Sequence, residues 1–134
     1  MSKKKLIVDQ YDPIIYPYKL YVAKNYTDKD LMKRFDLTEE ELLNDEESDF
    51  AYTYWGVNHK PDMKPCCLVL LTSKSMKCKD KFENVDTCAH EALHYVLHVM
   101  ECIGNTQPWK KNHEPYCYLQ GWATKCIYRT LVSK

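Results

Sequence analysis

The sequence predicts an α+β domain in which a small antiparallel or mixed sheet packs on a long helix and on a second, C-terminal helix. Three observations support this class. Segments rich in Tyr, Ile and Val occur in the first half and are separated by turn residues, as strands usually are. Residues 84–103 contain no Pro or Gly and have helical periodicity, and a second helical stretch starts near residue 113.

The composition fits a single domain over residues 1–134, in which residues 1–12 could form a flexible tail. Apolar residues make up 45% of the 134 and charged residues 28%, which is ordinary for a chain with one core. The formal net charge is zero, so bulk electrostatics gives no attraction to nucleic acid or to an anionic membrane. No segment has the length and apolarity of a signal peptide or a membrane span. We therefore expect a cytoplasmic protein with neither nucleic-acid nor membrane partners.

The first half supplies the predicted sheet. Residues 14–24 read as a strand, and the segments that begin at Thr27 and Thr38 read as short helices with capping residues at their starts. Residues 50–57 and 66–73 predict an antiparallel hairpin, because the segment between them contains two prolines. The stretch 66–71 is apolar at every position but the cysteines, so we expect a strand that is covered on both faces.

A long helix is predicted over residues 84–103. Asn84 or Asp86 could cap its start, and Gly104 suits the left-handed residue that ends many helices. Its apolar side chains lie almost all round the axis, which predicts a core helix. One polar stripe interrupts this pattern, and it includes His90 and His94.

The residues His90-Glu91-Ala92-Leu93-His94 form an H-E-x-x-H motif within this helix. The i, i+4 spacing brings both imidazoles to one face, one turn apart, where they can share a metal ion. Glu91 then stands beside the ion, where it can act as a general base on a water molecule. The motif predicts a zinc site with His90 and His94 as ligands. The alternative is that both are structural histidines of a core or cleft.

A catalytic zinc site of this kind needs a third protein ligand and an open position for water. His98 lies two turns beyond His90, about 12 Å along the axis, which is too far for a shared ion. A second helix is predicted to begin near His113, with Pro115 in its first turn. Glu114 would project from the start of that helix. Gly121 on the same helix suggests a close approach of the two helix backbones.

These residues resemble the gluzincin family of metallopeptidases. In that family H-E-x-x-H is followed, on a later helix, by a glutamate ligand, and the distance of 20 residues from His94 to Glu114 is similar to that in the thermolysin group. The resemblance covers about residues 84–125. It is similar in size and layout to small metallopeptidases of bacteria, phages and mobile elements, including the ImmA/IrrE type. It implies a zincin-like fold, Glu114 as the third zinc ligand and Glu91 as the general base.

The resemblance does not supply the residue that stabilises the transition state. His113 and Tyr118 flank the predicted ligand Glu114 and are candidates for this electrophile. They also stand where the thermolysin group has Asn and Asp. Tyr95 follows His94 directly, but with eleven tyrosines in the chain each is more simply explained as a core or surface aromatic residue.

The seven cysteines leave one other enzyme class open. Peptide deformylases combine H-E-x-x-H with an upstream cysteine ligand, and Cys66 or Cys67 could take that place. Neither has the surrounding sequence of that family, and no C-x-x-C occurs. Buried free thiols are the simpler interpretation. Cys117 and His113 are the remaining alternatives to Glu114 as third ligand.

The sequence therefore predicts a zinc-dependent hydrolase, in particular a peptidase, with a peptide or protein substrate. Zinc would lower the pKa of a bound water, Glu91 would take its proton, and the hydroxide would attack an amide carbonyl. An extended substrate is expected to add to a free strand edge near His90. Two other classes remain: a zinc-stabilised binding or regulatory protein of a phage or mobile element, and an interaction module without metal.

Overall fold

The computed structural model describes residues 4–43, 49–105 and 113–134. Within those ranges helices cover both faces of a four-stranded sheet. In chain order the elements are β1 (Ile7–Tyr11), β2 (Leu20–Lys24), α1 (Asp28–Arg34), α2 (Glu39–Leu43), β3 (Ala51–His59), β4 (Lys64–Leu71), α3 (Ser73–Lys77), α4 (Lys81–Cys102) and α5 (Glu114–Val132). The polar sequence between the two long helices predicts a loop over residues 105–112, and except for Asn105 this loop lies outside the described residues.

The strands are ordered β1-β2-β4-β3. β1 is antiparallel to β2, β2 is parallel to β4, and β3 is antiparallel to β4. The predicted α+β class, with a small mixed sheet and a long helix, is confirmed. The predicted hairpin is also confirmed, and its strands β3 and β4 extend from Ala51 to Leu71.

The N-terminal region differs from the prediction. Residues 1–12 are expected to form a tail, but Ile7–Tyr11 form strand β1, and the Tyr11 hydroxyl shares a hydrogen bond of 2.7 Å with Thr130 on α5. The strand expected over residues 14–24 begins only at Leu20. Ile14 has φ of 65°, which is incompatible with a strand, and the flanking prolines cannot donate ladder hydrogen bonds.

The central strands β2 and β4 are buried on both faces, as expected for the apolar stretch 66–71. On one face their side chains pack against α4 and α5, and on the other against α1 and α2. Alternate residues serve the two cores, because successive side chains of a strand point in opposite directions. The sheet therefore holds α4 and α5 on one side, and the candidate site lies on that side.

Capping side chains begin α1, α2 and α4, only partly at the predicted positions. The Thr27 and Asp30 pair forms a capping box at α1, and Thr38 with Glu41 makes the equivalent hydrogen bonds at α2. Helix α4 starts earlier than predicted, because Asp80 rather than Asn84 or Asp86 accepts hydrogen bonds from the first backbone amides. Helix α3 was not predicted.

Helix α4 is buried on one side only. Ala92, Tyr95 and Val96 are fully buried, whereas Val85 and Leu97 are each about half exposed, at 52% and 49%. The expectation of a helix buried all round is therefore wrong. The sheet and α5 together cover only part of its circumference, and apolar side chains remain on the uncovered part.

Helix α5 runs antiparallel to α4 and packs on it through Leu119, Ala123 and Ile127. The predicted close approach at Gly121 is wrong, since among the described residues no atom of another element lies within 4 Å of where a Cβ would stand. The buried Lys24 of β2 attaches the other end of α5, because its ammonium group donates hydrogen bonds to the carbonyls of Leu131 and Ser133. A cation at this position complements the C-terminal end of the helix dipole.

Candidate metal centre

The two histidines of the motif lie on successive turns of α4 and face the N-terminal half of β3. The centroids of the His90 and His94 rings are 5.0 Å apart, and the ring planes meet at 73°. His90 is exposed and His94 is partly exposed, so solvent reaches both imidazoles. Helix periodicity alone produces this pairing, because residues four apart lie one turn apart on the same face.

Glu91 lies beside the histidines but is buried, with 5% of its surface exposed. The hydroxyl of Thr53 on β3 donates a hydrogen bond to Oε2 of Glu91. The other carboxylate oxygen, Oε1, lies 4.0 Å from Nε2 of His90. Thr53 thus occupies one oxygen of the carboxylate, and the second oxygen faces the imidazoles.

His90, Glu91 and His94 each offer one ligand atom, and the three atoms lie within 4.8 Å of one another. In the part of the chain that the structure describes, no other trio of His, Cys, Asp or Glu side chains comes this close. Two imidazole nitrogens and a carboxylate oxygen are donors that Zn²⁺ binds well. The residues present therefore fit a zinc ion.

The three side chains open into a cleft between α4 and β3 with a volume of about 540 Å³. Thr53 and Trp55 line the cleft on the strand side. Asp49 and Asp86 line the end of the cleft nearest the starts of β3 and α4, and Trp55 lies toward the opposite end. A cleft of this size can admit a segment of extended chain.

β3 is an edge strand, and residues of its first half line this cleft. The carbonyl of Phe50 accepts a hydrogen bond from the amide of Thr72, and the pairing of β3 with β4 continues in register from Ala51. In an antiparallel ladder this alternation turns the amides and carbonyls of Ala51, Thr53 and Trp55 away from β4. Those outward groups have no backbone partner among residues 4–43, 49–105 and 113–134.

The farther half of the same edge is covered. The amide of Asp36 donates to the carbonyl of Asn58 at 2.9 Å, and the amide of Lys60 donates to the carbonyl of Arg34 at 2.8 Å. With respect to the described part of the chain, the unpaired edge is therefore confined to the half of β3 that lies beside the histidines.

The structure does not bring Glu114 into the group. Glu114 is exposed at the first position of α5, and the hydroxyl of Tyr116 in the same turn donates a hydrogen bond to the carbonyl of Asn105, beyond the end of α4. This end of α5 is thus level with the end of α4, two turns past His94. The role of Glu114 as third ligand stays a prediction from the resemblance.

The other candidates from the sequence also lie apart from the three-residue group. His113 and Tyr118 are exposed near the start of α5. Cys66 and Cys67 are buried on opposite faces of β4, and Cys117 is exposed on α5. A deformylase-type cysteine ligand is therefore not part of the observed group.

All seven cysteines are free thiols. Burial raises the pKa of the Cys66 thiol to about 12, and burial together with the negative charge of Glu91 raises that of Cys88 to about 12. Both are neutral thiols of the core at physiological pH.

Two further residues of the site, Thr53 and Trp55, contact the polar face of α4 and are not predicted by any sequence motif. The indole of Trp55 lies 6.2 Å from the His94 ring and stacks on His98 at 5.4 Å, with an angle of 27° between the planes. Burial lowers the pKa of His98, which favours its neutral form. The period-two alternation of β3 puts Ala51, Thr53 and Trp55 on one face, but no motif marks that face as part of a site.

Comparison of the chain with protein-family models, with curated proteins and with solved structures found no match. A search of the described helices found none whose length and apolarity would allow it to cross a membrane.

Proposed function

We propose that this protein is a zinc-dependent hydrolase with a zincin-like fold that cleaves peptide bonds. One observation carries the proposal: the cluster of His90, Glu91 and His94 opens into a cleft beside the unpaired part of the β3 edge. A buried structural metal site would have no need of such an opening. A hydrolase needs both the donor set and access for a chain.

His90 and His94 would hold the ion through their imidazole nitrogens. A bound zinc ion supplies Lewis-acid chemistry, since it makes a water molecule more acidic and polarises a carbonyl group. Glu91 would accept the proton of the attacking water on Oε1 and deliver it to the leaving amine nitrogen. Thr53 would keep the carboxylate turned so that Oε1 faces this position, because its hydroxyl holds the other oxygen.

The substrate class follows from the edge of β3. The outward amides and carbonyls of Ala51, Thr53 and Trp55 can pair with an extended peptide, and such pairing fixes a backbone without requiring a particular sequence. A peptide added there would pass over the faces of His90 and His94 that line the cleft. We therefore infer a peptide or protein substrate.

Cellular location and biological setting are further parts of the proposal. The free state of all seven cysteines supports a reducing compartment, so we infer a cytoplasmic protein. The association with phages or mobile elements rests on the gluzincin resemblance alone.

A second function has support from the same geometry. The ligand atoms of Glu91 and the two histidines lie within 4.8 Å of one another, which allows all three to bind one ion. Glu91 could then be the third ligand rather than the base. Zinc held by these three side chains would stabilise the α4–β3 contact, and the protein would be a binding or regulatory protein without turnover.

The substitution Glu91→Gln separates the two functions. If Glu91 is the base, the variant binds about one zinc per chain as tightly as the wild type, and hydrolysis of a mixed peptide library falls by about 100-fold or more. Metal content and cleavage products, both read by mass spectrometry, are the measurements.

Glu83→Gln is the matched control, since Glu83 is an exposed glutamate in the first turn of the same helix. It is expected to change neither quantity. Loss of zinc from Glu91→Gln, together with no cleavage by the wild type, would support the binding protein. Wild-type protein that stays metal-free after exposure to zinc would exclude both functions.

A further inference from the structure

A row of aromatic rings continues from the candidate metal centre along α4. The ring of Trp55 lies 6.2 Å from the ring of His94 and stacks on the ring of His98. The ring of Tyr18 lies 5.0 Å from the ring of His98. His98 follows His94 by one turn of the helix. The row therefore leads from Trp55, which lines the cleft, toward the C-terminal end of α4.

The indole of Trp55 is the accessible member of this row. Half of its surface, 50%, is exposed, and it lines the cleft. Because His98 covers one face of the indole, the exposed half includes its other face and edge. A large aromatic side chain left half exposed within a cleft is a common anchor for a bound ligand.

Local backbone geometry holds Trp55 in this position. The register of β3 with β4 shifts between Trp55 and Val57, and Gly56 has φ of 71° within this bulge. A bulge bends the strand and changes the direction of the adjacent side chain. The glycine permits a backbone conformation that other residues rarely adopt.

The distance along β3 between Thr53 and Trp55 relates the position of the indole to that of Glu91. Thr53, which contacts Glu91, and Trp55 are two residues apart on the same face of β3, about 6.6 Å along the strand. Side chains on one side of an extended peptide repeat with the same spacing. A peptide whose scissile bond lies at Glu91 therefore directs a neighbouring side chain to Trp55.

The charges that line the cleft indicate whether the side chain at Trp55 is basic or aromatic. A lysine or arginine could stack on the indole through a cation–π contact. The carboxylates of Asp49 and Asp86, however, line the opposite end of the cleft and would draw a cation there. At the other end, rings surround the indole: Trp55 contacts the rings of His94 and His98, and Tyr18 contacts His98. One carboxylate, that of Glu101, acts on His98 from the next turn of α4. Because the groups in direct contact with the indole are rings, this end suits an aromatic group.

We propose that Trp55, stacked on His98, forms a subsite that takes an aromatic side chain of the substrate next to the scissile bond. The inference rests on the proposed peptidase function and specifies its substrate class. It predicts a preference for peptides with Phe, Tyr or Trp on one side of the cleaved bond.

The test measures binding to zinc-loaded protein and needs no turnover. Hydroxamates coordinate zinc directly, so a matched pair isolates the effect of the side chain. The probes are N-acetylphenylalanine hydroxamate and N-acetylalanine hydroxamate. To cover both directions of a peptide along β3, benzylsuccinyl and methylsuccinyl hydroxamates form a second pair.

In one of the two pairs the benzyl probe is expected to bind about tenfold more tightly than its methyl partner. The ratio should fall to near one in Trp55→Ala and remain above about five in Trp55→Phe, which keeps a ring. Phe82→Ala is the control, because Phe82 is an exposed aromatic residue at the start of α4 and is not in the cleft. It should leave the ratio unchanged.

The contrary outcomes have different meanings. Methyl probes that bind while neither benzyl probe binds more tightly would overturn the subsite and leave the metal centre intact. A preference that survives in folded Trp55→Ala, or a lysine-bearing probe that binds more tightly than the benzyl probe, would overturn it as well. Binding of none of the probes to zinc-loaded protein would overturn both the subsite and the accessible metal centre of the proposed function.

Discussion

Helix α4 meets β3 on one side and α5 on another, and the candidate site is built only where α4 meets β3. Toward β3, Glu91 accepts a hydrogen bond from Thr53 and His94 lies beside Trp55. Toward α5 the contacts join the two helices, such as the hydrogen bond of 2.9 Å that the side-chain amide of Gln120 donates to the backbone carbonyl of Ala89. The predicted ligand Glu114 stays exposed on that side. The comparison indicates that contact with the strand shapes the chemistry, whereas α5 supports the helix.

A physical reason underlies this difference. The edge of β3 brings a hydroxyl and free backbone groups to a helix face that carries three potential ligands. The α4–α5 contact is instead packed mainly with apolar side chains, which hydrophobic burial favours, and no described side chain of α5 joins the three-residue group.

The largest expected effect concerns the face of α4 toward β3. We expect His94→Ala to lower zinc affinity by at least about 100-fold, since loss of a supporting residue alone commonly lowers metal affinity by about 10- to 100-fold. His98→Ala, one turn farther along, should retain zinc because His98 stacks on Trp55 and is not in the group. Competition with a chromophoric chelator measures both affinities.

Equal losses in the two histidine variants would contradict this assignment, because they would show a ligand set that extends along the helix. Circular dichroism of each variant distinguishes loss of zinc from loss of folding.

The next effect tests the strand side directly. Thr53→Val keeps the shape of the side chain but removes the hydroxyl that donates a hydrogen bond to Glu91. We expect kcat to fall by about tenfold with KM nearly unchanged, because a buried carboxylate that loses its partner is no longer held in one orientation. Zinc content should remain that of the wild type.

Thr53→Ser provides the matched variant, since it restores the hydroxyl without the methyl group. Recovery of kcat in Thr53→Ser would assign the effect to orientation of Glu91. A loss of equal size in both variants would mean that Thr53 contributes only to packing.

The sequence predicted the part of the site that local geometry determines. His90 and His94 come together because helix periodicity fixes the distance between residues four apart. Thr53 and Trp55 could not be assigned, since their contact with α4 depends on which strand becomes the sheet edge and on the bulge at Gly56. These are properties of tertiary pairing, which one sequence does not specify locally.

The same distinction applies to the fold. Apolar runs and turn residues predicted the β3–β4 hairpin, and capping residues predicted the starts of α1 and α2. Strand β1 was missed because it is short and only partly apolar, and the hydrogen bond from Tyr11 to a helix 119 residues away holds it in place. Long-range contacts of this kind leave no periodic signal.

The smallest expected effect tests the α5 side, where the resemblance predicts a ligand and where Glu114 lies apart from the three-residue group. From the exposed position of Glu114 we expect Glu114→Ala to change zinc affinity by less than about twofold, whereas a lost ligand would lower it by about tenfold or more. The free energy of unfolding should fall by less than about 1 kcal/mol, since the exposed charge lies at the start of α5, where its favourable interaction is with the helix dipole. Chelator competition and urea unfolding, with Glu101→Ala as the exposed control on α4, measure the two quantities. A tenfold loss of zinc affinity confined to Glu114→Ala would show that the start of α5 reaches the ion, and α5 would then contribute to the chemistry as β3 does.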